Sequence, residues 1–111
     1  MTLHDAQQEV DKWIQKYGGG YFSELTNLGI LTEEVGEMAR WMVRIYGDQT
    51  PKPSEKGKDM RAAIADEMSD ILWVLLCLAN QMDIDITSAF KENINKKTQR
   101  DHDRHRPGNQ E

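Results

Sequence analysis

Nine consecutive apolar residues, Ile71–Ala79, place the strongest constraint on how this 111-residue chain can fold. Neither Gly nor Pro occurs between Asp59 and Met82, so we expect one long helix there. A helix that is apolar on all sides must be covered on all sides. The chain is short enough for only one domain, so we predict that a second copy covers the outer face of this helix. The alternative is a monomer in which this helix is central.

Cap residues and apolar periodicity predict three further helices. Thr2 with Asp5, Ser23 and Asp85 are candidate N-caps, and Gly18–Gly20 and Gly47 follow the first two helices. No segment shows the two-residue alternation of a strand. The sequence therefore predicts an all-α fold, a four-helix bundle completed by homo-oligomerisation. We expect a helical domain at residues 1–100 and a polar, flexible C-terminal tail at 101–111.

Charge, hydropathy and cysteine content exclude several classes of protein. Lys and Arg total 14 against 19 Asp and Glu, and the net charge of −5 argues against a nucleic-acid partner. The nine-residue apolar run is shorter than the roughly 20 residues that span a bilayer. One cysteine, Cys77, and an N-terminus without a signal-peptide core predict a cytoplasmic protein. Pro51 and Pro53 lie in a predicted loop, residues 47–58, that is typical of a lid or a linker.

Two pairs of carboxylates occupy positions where amphipathic helices normally carry apolar residues. Glu34 lies within the apolar stripe of the second helix and Glu37 at its edge, and Glu67 and Asp70 repeat this arrangement on the third helix. If the two helices face each other, the mutual repulsion of four carboxylates is on the order of 14 kcal/mol. That repulsion rivals the stability of a whole domain, about 5–15 kcal/mol. The pattern therefore predicts a bound cation, unless some of the acids turn outward into solvent.

The ligand types favour Mg²⁺, with Mn²⁺ as a possible substitute. Lys and Arg fall only on the flanks of these helices, so no basic side chain can neutralise the acids from the same stripe. All-oxygen ligation suits a hard divalent ion. A di-iron bundle would need Glu-x-x-His pairs, whereas the three histidines lie elsewhere in the chain.

The segments Leu31–Ala39 (LTEEVGEMA) and Asp66–Leu72 (DEMSDIL) resemble the MazG-like nucleotide pyrophosphohydrolases. The pattern of that family is Glu-x-x-Glu followed, after a variable gap, by Glu-x-x-Asp. Gly36 between the first two acids and the aliphatic run after Asp70 also match it. The resemblance extends from the first helix to about Arg100.

The resemblance implies a short, single-domain, all-α enzyme that is a homodimer or a dimer of dimers. It implies Mg²⁺-dependent hydrolysis of a nucleoside triphosphate between its α and β phosphates, giving the monophosphate and pyrophosphate, as in housecleaning of the nucleotide pool. By the same resemblance, the catalytic metal ligands would be Glu34, Glu37, Glu67 and Asp70. A basic stretch with Lys96 and Arg100 would bind the phosphates.

Several points stay open on the sequence alone. Glu33 could orient the attacking water or be a surface residue, and Trp41 could stack on the nucleobase or pack in the core. Two other functions compete with a broad triphosphatase: a pyrimidine-specific dUTP or dCTP pyrophosphatase, and a non-catalytic helical module that binds nucleotides or regulates. The sequence does not reveal the preferred base or sugar.

Overall fold

The computed structural model describes residues 1–48 and 59–105, with side chains up to residue 102. It contains α1 (Leu3–Trp13), a π-helical segment (Ile14–Gly18), α2 (Glu24–Tyr46), α3 (Met60–Gln81) and α4 (Ile86–His105). These described residues contain no strand, which confirms the all-α prediction with four helices. Most of the predicted loop at 47–58 lies outside the described residues.

Each helix begins where the sequence places a cap. Thr2 and Asp5 form a capping box at the start of α1, with both side-chain-to-backbone bonds at 3.0 Å. Ser23 Oγ accepts from the backbone N–H of Thr26 before α2, and Asp59 accepts from Ala62 before α3. These bonds satisfy backbone donors that have no partner within the helix.

The core lies on α3, which packs against α2 on one side and α1 on the other. Val10 and Ile14 meet Leu76 and Cys77 in a buried cluster, and Leu76 is only 2% exposed. The apolar run predicted to need cover on all sides therefore has cover on two. Leu72 and Leu75, on its outer face, remain 44% and 41% exposed in the single chain.

Polar bonds fix α1 against the end of α3 and the start of α4. Gln7 Nε2 donates to the carbonyl of Ile84 at 2.7 Å, and Gln7 Oε1 accepts from the backbone N–H of Ile86. Asn80 Nδ2 donates to the Gln7 carbonyl and to the Tyr21 hydroxyl. The connection between α1 and α2 is thereby held against α3.

The last helix is longer than its apolar residues predict. α4 continues to His105, five residues beyond the predicted domain end at residue 100, while the rest of the predicted tail, 106–111, lies outside the described residues. It packs mainly against α1. Among the described helices, none is sufficiently long and apolar to cross a membrane.

Candidate active site

Three carboxylates from α2 and α3 converge where these helices pack together. One oxygen each from Glu34, Glu67 and Asp70 lies within 4.8 Å of the other two. Ligand oxygens on opposite sides of an octahedral Mg²⁺ are about 4.2 Å apart, so a small adjustment would let all three bind one ion. The structure thus brings together three of the four predicted ligands.

The Glu67 carboxyl group is the most perturbed of the three. Its hydrogen bond with Glu34, its burial and the charges of Glu34, Asp70 and Glu37 raise its pKa to about 7. Burial, followed by the charges of Glu34 and Asp66, raises the pKa of Asp70. Glu67 Oε2 is buried and has no hydrogen-bond partner among the described residues. A buried carboxylate oxygen without a donor is costly, so this atom is suited to a cation.

Glu37 and Glu33 lie outside this cluster. The Glu37 carboxylate contacts Arg40, with Oε2 3.5 Å from Nε, and its side chain is 51% exposed. Its charge still acts on Glu67 from that position. Glu33 is exposed on α2. A second cation or a phosphate-bound cation could recruit Glu37, because a half-exposed ion pair holds a side chain only weakly.

A cavity of about 440 Å³ opens beside the acid cluster. Two rows of side chains form its walls, each spaced i, i+3, i+7 along one helix face. The first row comprises Asn27, Ile30 and Glu34 of α2, and the second comprises Asp70, Trp73 and Cys77 of α3. The first row ends at Glu34 and the second begins at Asp70, so the cavity extends from the acids along the α2–α3 groove.

Aromatic residues also line this cavity. Trp13 and Trp73 pack edge to face with ring centroids 5.2 Å apart, and Tyr21 and Phe22 of the α1–α2 connection also line it. Trp13 and Phe22 are 47% and 66% exposed. Flat, half-exposed rings of this kind can stack on a nucleobase.

Sequence reasoning missed these aromatic residues. In the helical pattern of α3, Trp73 lies away from the Glu67 stripe. Its spacing of three residues from Asp70 was the signal that could have placed it on the cavity wall. Burial raises the pKa of Cys77, in the same wall, to about 11, so this thiol stays protonated and unreactive at neutral pH.

Trp41 occupies a different position from the cavity. It is only 7% exposed, and the Arg40 guanidinium lies 5.0 Å from its ring centroid. Trp41 does not line the cavity, so its surroundings agree with packing in the core rather than with stacking on a nucleobase.

The predicted phosphate-binding residues lie on α4, away from the two acid-bearing helices. Lys96 Nζ lies 3.7 Å from Glu92, and Arg100 Nε lies 3.3 Å from Asp101. Both ion pairs are exposed and therefore weak, so these side chains can rearrange toward a ligand.

A family model for the MazG nucleotide pyrophosphohydrolase domain matches residues 22–105, most of the chain. The Bacillus subtilis protein YpjD is 42% identical over 103 residues, which cover 93% of this chain and 89% of YpjD. A second Bacillus subtilis protein, YvdC, is 28% identical over 103 residues, 90% of this chain and 96% of YvdC.

Solved structures give the same result. The crystal structure of a Bacillus-conserved MazG protein, a nucleotide pyrophosphohydrolase, superposes with a TM-score of 0.71 and 36% identity, covering 86% of this chain and 88% of the other. A crystal structure of Bacillus subtilis YpjD superposes with a TM-score of 0.72 and 38% identity, covering 86% and 92%. The chain therefore belongs to the MazG family of nucleotide pyrophosphohydrolases, and it is a hydrolase that acts on phosphoanhydride bonds.

Proposed function

We propose that this enzyme uses Mg²⁺, or Mn²⁺ in its place, to cleave a nucleoside triphosphate between the α and β phosphates. The products would be the nucleoside monophosphate and pyrophosphate. The observation that carries the proposal is the group of three carboxylate oxygens, within 4.8 Å of one another, at the end of a cavity with aromatic walls. A single cysteine is consistent with the cytoplasmic location that we propose for this activity.

The donor set fits a hard divalent cation. Glu34, Glu67 and Asp70 offer only oxygen, and the buried Oε2 of Glu67 lacks a donor among the described residues. We propose these three as ligands, with Glu37 joining them when it leaves Arg40. A cation held there supplies positive charge against the phosphates and makes water nucleophilic at neutral pH.

The other roles fall to residues that surround this cluster. One cluster carboxylate, or Glu33, would orient the attacking water and accept its proton. Trp13 and Trp73 would contact the nucleobase. Lys96 and Arg100 would bind the departing pyrophosphate, because cationic side chains donate charge-assisted hydrogen bonds to phosphate oxygens.

We also propose a homodimer, or a dimer of dimers, as the active form. The accessible surface of the chain is 8400 Å², against about 6300 Å² for a compact monomer of this mass. An apolar stripe on the outer face of α3, defined by Met68, Leu72 and Leu75, is 41–53% exposed. A second copy packed on this stripe would supply the cover that the apolar run needs.

The direct test is an assay of pyrophosphate release from standard, deoxy and modified triphosphates with Mg²⁺, with Mn²⁺ and with EDTA. We expect release with either metal and none in EDTA. Turnover of dUTP or dCTP alone would favour the pyrimidine-specific alternative. Nucleotide binding that stabilises the protein without turnover and without a metal requirement would favour the non-catalytic module.

A further inference from the structure

We propose that Asn27 binds the base edge of the nucleotide, in an amide orientation that Gln81 fixes. This inference rests on the proposed function only in taking the acid end of the cavity as the phosphate end. It deepens that function by naming a residue that binds the base edge and requires an N–H donor on it.

Asn27 is a buried polar residue in a part of the cavity whose neighbouring walls, away from the acids, are mainly aromatic and aliphatic. Its side chain is on the first turn of α2 and is 5% exposed, yet it lines the cavity. A buried amide is costly unless its donors and acceptors are paired. A ligand in the cavity can therefore complete the pairing of Asn27.

A backbone carbonyl sets the direction of this amide through Gln81. Gln81 Nε2 donates to the carbonyl of Phe22 at 2.5 Å, and a carbonyl can only accept. Gln81 must therefore turn Oε1 toward Asn27, whose Nδ2 donates to it at 2.7 Å. This arrangement leaves Asn27 Oδ1 to accept a hydrogen bond and one Nδ2 hydrogen to donate one.

The position of Asn27 suits the base rather than the phosphates. Seven residues along α2 separate it from Glu34, a rise of about 10.5 Å. Ile30 lies between the two on the same wall, and Trp73 and Val74 line the opposite wall. The Tyr21 hydroxyl, also in the lining, already donates to Asp11 and accepts from Asn80. Asn27 is thus the amide available to a base whose phosphates lie at the acids.

The free acceptor of Asn27 selects for a particular chemistry. Its Oδ1 requires an N–H donor, which is the exocyclic amine of cytosine, adenine or guanine, or the ring imide of uracil, thymine or guanine. Full methylation of that nitrogen removes the donor. Sites built around a hydrogen bond reject analogues that lack the donor because the partner is left buried and unpaired.

The test measures binding of nucleoside monophosphates to the full chain by calorimetry, so that it does not depend on turnover. Each common monophosphate is compared with its counterpart fully methylated at the base-edge nitrogens, such as N4,N4-dimethyl-CMP or N3-methyl-UMP. We expect at least one unmethylated form to bind about tenfold more tightly to the wild type. In Asn27→Ala that difference should disappear, whereas Asn93→Ala, an exposed asparagine on α4, should keep it.

Gln81→Met provides a second variant, because it leaves Asn27 in place but frees its amide to rotate. We expect the discrimination to fall in this variant while helix content stays at the wild-type level. Equal binding of methylated and unmethylated forms by the wild type, or retention of the tenfold difference in Asn27→Ala, would overturn the proposal. If Asn27→Ala does not fold, the wild type and Gln81→Met decide.

The outcomes separate this proposal from the proposed activity. Turnover of triphosphates together with equal binding of methylated and unmethylated monophosphates would refute the role of Asn27 and leave the activity intact. Discrimination between methylated and unmethylated monophosphates without turnover of any triphosphate would support the role of Asn27 and refute the proposed activity.

Discussion

The protonation of Glu67 links the stability of this protein to its chemistry. Its carboxyl group has a pKa of about 7 because Glu34, burial and the charges of Glu34, Asp70 and Glu37 all favour the neutral form. The ionised form is the one that binds a cation. In the cation site that we propose, metal binding and proton binding would therefore compete at this residue near neutral pH.

This competition predicts how the metal-free protein responds to pH. The folded chain holds a proton on Glu67 that the unfolded chain, in which this carboxyl has its ordinary pKa of 4.5, has already released. The free energy of unfolding should therefore decrease as pH rises from about 4.5 to about 7. Asp70, whose pKa is also raised, acts in the same direction. Asp5 and Asp85, whose pKa values are lowered by their capping bonds, act only below this range.

Thermal melting in EDTA checks this prediction. We expect a higher Tm at pH 5 than at pH 8 for the wild type. Glu67→Gln mimics the protonated acid, so it should flatten the dependence and raise the Tm at pH 8. A Tm that rises from pH 5 to pH 8, with the same slope in the variant, would show that the fold does not raise the pKa of Glu67.

The sequence predicts part of the site at this scale. Helical periodicity predicts that Glu34, Glu67 and Asp70 lie close together, because residues three and four apart project from the same face of a helix. The fourth acid could not be placed in this way. Glu37 lies at the edge of the stripe, where contact with Arg40 three residues later decides its direction. Such local choices depend on side-chain rotamers, which periodicity does not specify.

Among the structural elements, the π-helical segment has the least ordinary geometry. It continues α1 at Ile14–Gly18 and ends at Gly19, which has a left-handed backbone with φ 70°. Both Ile14 and Gly18 line the cavity, so this wider turn forms part of its wall. π-Helical turns are rare and frequently occur at functional sites.

Gly19 gives a prediction for this element. A Cβ there would meet no atom within 4 Å, so any cost of substitution comes from the backbone conformation alone. We expect Gly19→Ala to lower the free energy of unfolding by about 1 kcal/mol. Gly19→Asn should cost less, because Asn tolerates the left-handed region. Urea denaturation measures both; equal stability of the alanine variant and the wild type would contradict the assigned conformation.

Element boundaries differ in how far the sequence predicts them. Three of the four starts follow from predicted cap residues, because a Ser, Thr or Asp side chain there satisfies free backbone donors. The start of α3 follows instead from the stretch without Gly or Pro after Asp59. The π-helical turn could not be predicted, since residues 14–17 fit an α-helical pattern and the wider turn is a matter of packing. The length of α4 was also missed. Its polar turns lack core contacts, but Lys96 and Glu92 form an i, i+4 pair at 3.7 Å that favours a helix.

At the scale of the whole molecule, the chain is more extended than a compact domain. Its radius of gyration is 18.5 Å, against about 13 Å for a compact domain of this length. The projecting α4 and the exposed α3 stripe of Met68, Leu72 and Leu75 are both consistent with a subunit that completes its core with another copy.

A charge placed in the α3 stripe should therefore dissociate the oligomer that we propose. We expect Leu72→Glu to convert the protein to monomers in light scattering, because a buried unpaired carboxylate opposes association. Lys91→Glu, an exposed change on α4, serves as a control and should keep the wild-type mass. A wild type of monomer mass would contradict the assembly that we propose.

The assembly also predicts how α4 reaches a site. Lys96 and Arg100 lie on a helix that packs mainly against α1 of its own chain, so we expect them to serve the partner's acid cluster. Glu67→Gln and Arg100→Ala should each be severely impaired alone. In a mixed dimer of the two variants, the Arg100→Ala subunit would supply an intact acid cluster and the Glu67→Gln subunit would supply an intact α4 to the same site. One of the two sites would then be complete, so part of the activity would be recovered. No recovery after confirmed subunit exchange would place α4 in the site of its own chain.

The central claim is that carboxylates of α2 and α3 form one site for a divalent cation. Binding of Mn²⁺ to the nucleotide-free protein, followed by electron paramagnetic resonance, tests it most directly. Glu67→Gln should weaken this binding at least about tenfold, because it removes a charged ligand. Glu24→Gln makes the same charge change on the first turn of α2, about 15 Å from Glu34, and should bind as the wild type does. Equal Mn²⁺ affinity in the wild type and Glu67→Gln would contradict the account.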